Sequence, residues 1–242
     1  MMIVPSGLSS LDGAPHFLAL STSAFFKKGS MSYYRLRDIK TPPFAYILNR
    51  EDVVKTCPSC QMPFPQPEAA LEVEICAGTP HEWENRLHGQ PMMADHWLIG
   101  DEAFGDDFAK MLQGNVGKVP VEIVGWLRAE PSFDESPSKV HSSRIAPQFF
   151  HYFPTAQIGV APEVLDRFPP IRCNACQRNI PNIPFHLQPV PEPTHTVLFA
   201  ALEQFPLDGF DYLFHHSVVP TLQSRFPTML LEKLPPPSSF LG

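Results

Sequence analysis

Four of the five cysteines stand in two matched pairs: Cys57 and Cys60 in "VVKTCPSCQMPFPQ" (53–66), Cys173 and Cys176 in "PPIRCNACQRNIPN" (169–182). In each pair the second thiol is followed at once by Gln (Gln61, Gln177), and by Pro within five residues. A C-x-x-C turn presents two thiolates from one tight bend whose backbone N–H groups can hydrogen-bond the sulfurs, and two such turns complete the tetrahedron that zinc requires. The pairs are separated by 112 residues (61–172), far beyond the 15–20 of a compact zinc module, so a shared site follows from the matched motifs and not from spacing. Closing so long a loop costs little more entropy than closing a short one, because the cost grows with the logarithm of length. One structural zinc on Cys57, Cys60, Cys173 and Cys176 would staple two distant parts of the chain and contribute directly to folding.

Two other readings stay open. A redox dithiol belongs at a helix N-terminus in a βαβ setting, whereas both pairs here run into Pro-rich loops. Alternatively, the pairs hold no metal. A catalytic zinc needs an open coordination position, which four thiolates do not leave. Cys76, in "VEICAGTP", reads as a small buried hydrophobe and not as a fifth ligand.

The remaining reactive side chains form weaker patterns. His81 and His88 in "HEWENRLH" are seven apart, so the i, i+4 geometry of an H-E-x-x-H zinc site is missing and both are expected at the surface. His215 and His216 are adjacent in an expected strand and should point to opposite faces, so that at most one serves a given site. The acidic runs in "LEVEICAGTPHEWE" and "GDEAFGDDF" are expected to be solvated faces. There is no G-x-S-x-G, P-loop or G-x-G-x-x-G, and no enzymatic activity is expected.

The elements that carry the cysteines are legible in part. "DHWLIGDEAFGDDFAKMLQGNVGKVPVEIVGWL" (95–127) has a strand at Trp97 to Ile99 and an amphipathic helix with Phe104, Phe108, Met111 and Leu112 at i, i+4, i+7 and i+8. An alternating strand follows from Val119 to Trp126. Asp101 and Glu102 suit the positive end of that helix. The same order recurs in 210–234: a strand at Tyr212 to Phe214, Ser217 as N-cap, a helix through Leu222 and Phe226, and a strand from Met229 to Leu234. Trp97 follows Cys60 by 37 positions and Tyr212 follows Cys176 by 36, which signals an internal duplication. The expected architecture is α+β: two pseudo-repeated strand-helix-strand halves (31–127 and 145–234) bridged by a zinc-ribbon-like pair of CxxC knuckles. The polar, Pro/Ser-rich segment 128–144 is the linker within a single domain spanning 31–242. Residues 1–30 show no periodicity and read as a flexible extension, with Met31 an alternative start.

Composition narrows the function classes. At 43% hydrophobic and 18% charged the chain can build a sizeable core, and 29 prolines imply short elements and long ordered loops. A net charge of −7 excludes a general nucleic-acid binder and a polybasic membrane reader, because both need a cationic surface. No stretch approaches the roughly 20 apolar residues of a membrane span, and no basic-then-apolar leader opens the chain. A cytoplasmic protein with reduced thiols is expected.

The early "YYRLRD", "CPSC", "FPPIRCNACQR" and the tail "VLFAALEQFPLDGFDYLFHHSVVPTLQSRFPTMLLEKL" together resemble the bacterial double-CxxCG motif proteins, over residues 31 to 234. Arg178 stands where that family's second motif often has Arg. The chain departs from the pattern at Gln61 and Gln177, where the family has Gly, and at "DVVKT", where it has a Pro-Gly approach. The family includes immunity proteins against swarming-inhibition toxins. The resemblance therefore implies structural cysteines and a binding function: stoichiometric neutralisation of a cognate toxin protein. The competing expectation is a zinc-ribbon adaptor in a regulatory or processing complex; a third is a zinc-dependent hydrolase with an unrecognised site.

Overall fold

The computed structural model describes residues 32–40, 44–76, 88–127, 139–140, 148–180, 182, 197–202 and 211–235. The extension 1–30, His81 and most of the expected linker lie outside them.

The first part of the chain runs β1 (Tyr33–Ile39), β2 (Phe44–Ile47), the single helical turn α1 (Arg50–Val53), and the hairpin β3 (Val54–Thr56) and β4 (Pro63–Pro65). Next come β5 (Leu71–Cys76), β6 (Met92–Ala94), β7 (Trp97–Asp101), α2 (Glu102–Met111) and β8 (Val116–Leu127). Then follow β9 (Lys139–Val140), β10 (Phe149–Pro154), β11 (Ala156–Ile158), α3 (Pro162–Arg167), and the hairpin β12 (Ile171–Arg172) and β13 (Asn179–Ile180). The chain closes with β14 (Phe199–Leu202), β15 (Tyr212–His215), α4 (Val219–Arg225) and β16 (Met229–Lys233). The fold is mixed α+β, as the sequence implies. Part of the expected linker is not loop: β9 pairs with the end of β8.

Both strand-helix-strand units are present, yet neither closes on itself. β7 and β8 each pair antiparallel with β10, which lies between them. β15 and β16 likewise each pair antiparallel with β1. A helical crossover between two parallel strands leaves room for a third strand, and each gap is filled from the other part of the chain. The segments 31–127 and 145–234 therefore interlock by exchanging their first strands.

The resulting sheets have the orders β2-β5-β8-β10-β7-β6 and β11-β14-β15-β1-β16. The first curls until its edge strands β2 and β6 approach each other, enclosing a core that includes Leu71, Val73, Ile75, Trp97, Ile99 and Trp126. A second core lies where α2 and α4 pack together with β1, β10, β14 and β15, and half of its buried residues are aromatic. Phe108 is its hub, with ring centroids 5.0 Å from Phe104, 5.3 Å from Phe199 and 6.1 Å from Phe214. Gly105 lets α2 lie directly on β10, since a Cβ there would collide with the Tyr152 ring. Arg35 of β1 grips Asp211, just ahead of β15, with two nitrogens at 2.6 and 2.8 Å.

The capping expectations divide. Asp101 does cap α2, accepting the Phe104 N–H at 2.8 Å, and it also accepts from the Gly89 N–H. His88 sits largely exposed, as expected, but with Nδ1 2.7 Å from the Asp101 carboxylate. Ser217 does not cap α4; Val218 holds that position, and the Ser217 hydroxyl lies 2.7 Å from Nδ1 of His215. The expectation for the histidine pair also fails. β15 ends at His215, so His216 already belongs to the turn, and the two rings lie side by side with centroids 4.2 Å apart. Strand alternation does not apply past the last strand residue.

A histidine with no role in the sequence reading is enclosed in the wall between the two cores. His151 of β10 is fully buried, its ring against Trp97 (4.6 Å) and Phe153 (5.3 Å), with Nε2 3.3 Å from the Tyr212 hydroxyl. Burial lowers its pKa to about 3, so the folded protein holds it neutral. The unfolded chain binds a proton near pH 6.5 that the fold refuses, so stability falls as pH drops from about 6.5 towards 3. About 2 kcal/mol should be lost between pH 7 and pH 5 from this group alone. His151→Gln should flatten that part of the curve, as read by urea unfolding at each pH; an unchanged slope would show that another group carries it.

Candidate metal centre

Both CxxC pairs occupy tips of short β-hairpins, β3–β4 and β12–β13. The two turns are built alike. Cys57 N–H donates to the Met62 carbonyl at 3.1 Å and Gln61 N–H to the Cys57 carbonyl at 2.9 Å. Cys173 N–H donates to the Arg178 carbonyl and Gln177 N–H to the Cys173 carbonyl, both at 2.9 Å. Each turn reverses through a left-handed residue, Gln61 and Gln177, both with φ of 59°.

That conformation is where glycine is easy, and for another residue it costs roughly 1–2 kcal/mol. Each Gln offsets part of the cost with its own side chain: Gln61 Nε2 donates to the Pro58 carbonyl at 3.0 Å and Gln177 Nε2 to the Asn174 carbonyl at 2.6 Å. The amide thus closes the turn that glycine would merely permit. Gln177→Gly should leave stability within about 1 kcal/mol of wild type, whereas Gln177→Val, β-branched and without the amide, should cost about 2 kcal/mol or more. Urea unfolding of the two variants gives the comparison. Equal effects would mean that the left-handed backbone at this position carries no cost for a β-branched residue.

The tertiary structure brings the hairpins tip to tip. Cys57 Sγ lies 3.9 Å from Cys173 Sγ, Cys60 Sγ lies 3.9 Å from Cys176 Sγ, and all four sulfurs fall within 4.8 Å of one another. A zinc ion with Zn–S bonds of about 2.3 Å sets tetrahedron edges of about 3.8 Å, so the cluster is compatible with a single structural zinc. Disulfide sulfurs lie at about 2.05 Å, and these four cysteines are free thiols. Cys57 and Cys173 are buried and Cys60 and Cys176 half-buried, so the cluster is closed on one side by protein. Cys76 is buried at the end of β5, outside the cluster, as expected.

The local electrostatics favour anionic sulfur. The Cys60 and Ser59 N–H groups lower the Cys57 thiol to about 6, and the Cys176 and Ala175 N–H groups lower Cys173 in the same way. Cys60 moves the other way, up to about 12: the Met62 N–H favours its thiolate, but burial and the neighbouring sulfurs outweigh it. Four sulfurs this close resist being anions together unless a cation lies between them. A divalent soft metal meets that requirement, and these four residues would hold it.

Each hairpin is anchored in a different core. Val53 and Val54, at the foot of β3, are buried in the core of the curled sheet. Val164 of α3 and Phe168, which lead into β12, belong to the core against the other sheet. The seam between the hairpins is also held away from sulfur, by the Arg178 guanidinium 3.9 Å over the Phe64 ring. Phe64 had no signal in the sequence as a partner for Arg178, because the contact joins residues on different hairpins. Both pairs sit on hairpin tips and not at a helix N-terminus, and a zinc held by all four sulfurs would have no open ligand position. No helix of the described residues is long and apolar enough to cross a membrane. No family model, curated protein or solved structure matches the chain.

Proposed function

We propose that this is a bacterial immunity protein of the double-CxxCG type, which neutralises a cognate toxin by stoichiometric binding in the cytoplasm and has no catalytic turnover. One zinc on Cys57, Cys60, Cys173 and Cys176 is its structural staple, and the two hairpins with their split strand-helix-strand units are a zinc-ribbon-like internal duplication. The observation that carries the reading is the four-sulfur cluster itself, made by two like-built turns from distant parts of the chain. When bound, a zinc with four thiolates supplies no Lewis-acid position, so its contribution is to geometry and stability. What remains for function is a rigid surface.

The test is growth of a bacterium expressing the C-terminal domain encoded by the neighbouring open reading frame, with and without this protein. Rescue together with a one-to-one complex on purification is the expected result. A harmless neighbour, or toxicity unaffected by this chain, would overturn the immunity reading and leave a zinc-dependent adaptor.

A further inference from the structure

The outer wall of the curled sheet is covered unevenly. Helix α2 packs on β7 and β10, whereas Tyr46 of β2, Leu48 just past it, Glu72 of β5, and Glu122 and Val124 of β8 meet solvent. On that bare stretch the three strands are in register. Tyr46 lies opposite Glu74, and Glu74 opposite Gly125. One row along, Leu48 bonds through its N–H to the Glu72 carbonyl, and Glu72 lies opposite Glu122. Val124 sits at the irregularity between these rows.

Two independent features mark the wall. Tyr46, Leu48 and Val124 are 42%, 48% and 48% exposed, and only Ile171 joins them as an exposed large hydrophobic among the described residues. Glu72 and Glu122 face each other on neighbouring strands, and among the described residues neither has a cationic partner. Like charges directly opposite destabilise a sheet, and apolar side chains grouped beside them are left partly in water. The arrangement makes physical sense with a cationic surface laid over it.

We propose that this wall, formed by Tyr46, Leu48, Glu72, Glu74, Glu122 and Val124, docks a protein that presents basic side chains around an apolar centre. A second copy of this chain would set Glu against Glu, and a nucleic acid would bring charge of the wrong sign. That the partner is a toxin rests on the function proposed above; the surface does not.

The surface is tested on the zinc-loaded full chain with an amphipathic peptide alternating Lys and Leu, using backbone hydrogen exchange. Protection centred on β2, β5 and β8 is expected, with affinity reduced about tenfold or more by Glu72→Lys with Glu122→Lys. Protection centred elsewhere, or unchanged affinity in the double variant, would overturn the proposal. Glu72→Gln, which removes the repulsion without adding charge, should melt at or above the wild-type temperature; lower melting would make the carboxylate a structural group and sink the argument. In a second arm, Leu48→Ser with Val124→Ser should weaken binding of the neighbouring toxin domain by about tenfold or more, and equal binding would count against the surface. If the wild type itself ignores that domain, the immunity reading fails while the peptide arm still decides the surface.

Discussion

Cys173→Ser should empty the whole metal centre, taking bound zinc from one equivalent per chain to none, although Cys57, Cys60 and Cys176 remain. The sulfurs act as one set: with three thiolates the ion becomes exchangeable, and the 3.9 Å pairing of Cys57 with Cys173 is lost. Structural zinc sites contribute on the order of 10 kcal/mol or more in small domains, and here part of that energy would hold together hairpins anchored in separate cores. A net loss of about 3–5 kcal/mol is expected, which for a chain of this size lowers Tm by about 10 °C or more. Metal analysis and a thermal melt measure both quantities, and chelation of the wild type should reproduce the melt. Retention of a full equivalent of zinc by the variant would show that the hairpins do not share an ion.

Phe108→Ala should be about as damaging by a different route. Phe108 is fully buried, and its ring contacts reach Phe104 on α2, Phe226 at the end of α4, and Tyr152, Phe199 and Phe214 on strands of the two large sheets. Truncation leaves a cavity that the exchanged strands cannot close by moving, because β10 and β1 are each hydrogen-bonded on both sides. A loss of about 3–5 kcal/mol is expected in urea unfolding, with zinc content unchanged. That separation matters: Cys173→Ser lowers metal and stability together, Phe108→Ala stability alone. If Phe108→Ala also released the zinc, the aromatic core and the cysteine cluster would form one cooperative unit.

Local patterns carried the helix and strand types. The i, i+4, i+7 recurrence of Phe104, Phe108 and Met111 marks α2, and the matched C-x-x-C turns mark the four cysteines whose sulfurs cluster. These are short-range signals, set by the periodicity of the backbone and by the geometry of a tight turn, so they can be read from neighbouring residues. What lies between β7 and β8, or between β15 and β16, could not be read that way. The strand that fills each gap comes from the other part of the chain, and its own residues do not say whose core receives it. Arg178 over Phe64 is hidden for the same reason, and so is the burial of His151, whose environment is assembled from β7, β10 and β15. Ser217 and His216 show the converse: β15 stops at His215 and the cap of α4 falls on Val218, boundaries that local patterns do not fix. The residues therefore dictated which elements form and which side chains can bind a metal. The exchange of strands, the meeting of the two hairpins and the bare acidic wall were decided by long-range pairing, because burial and register depend on partners distant in the chain.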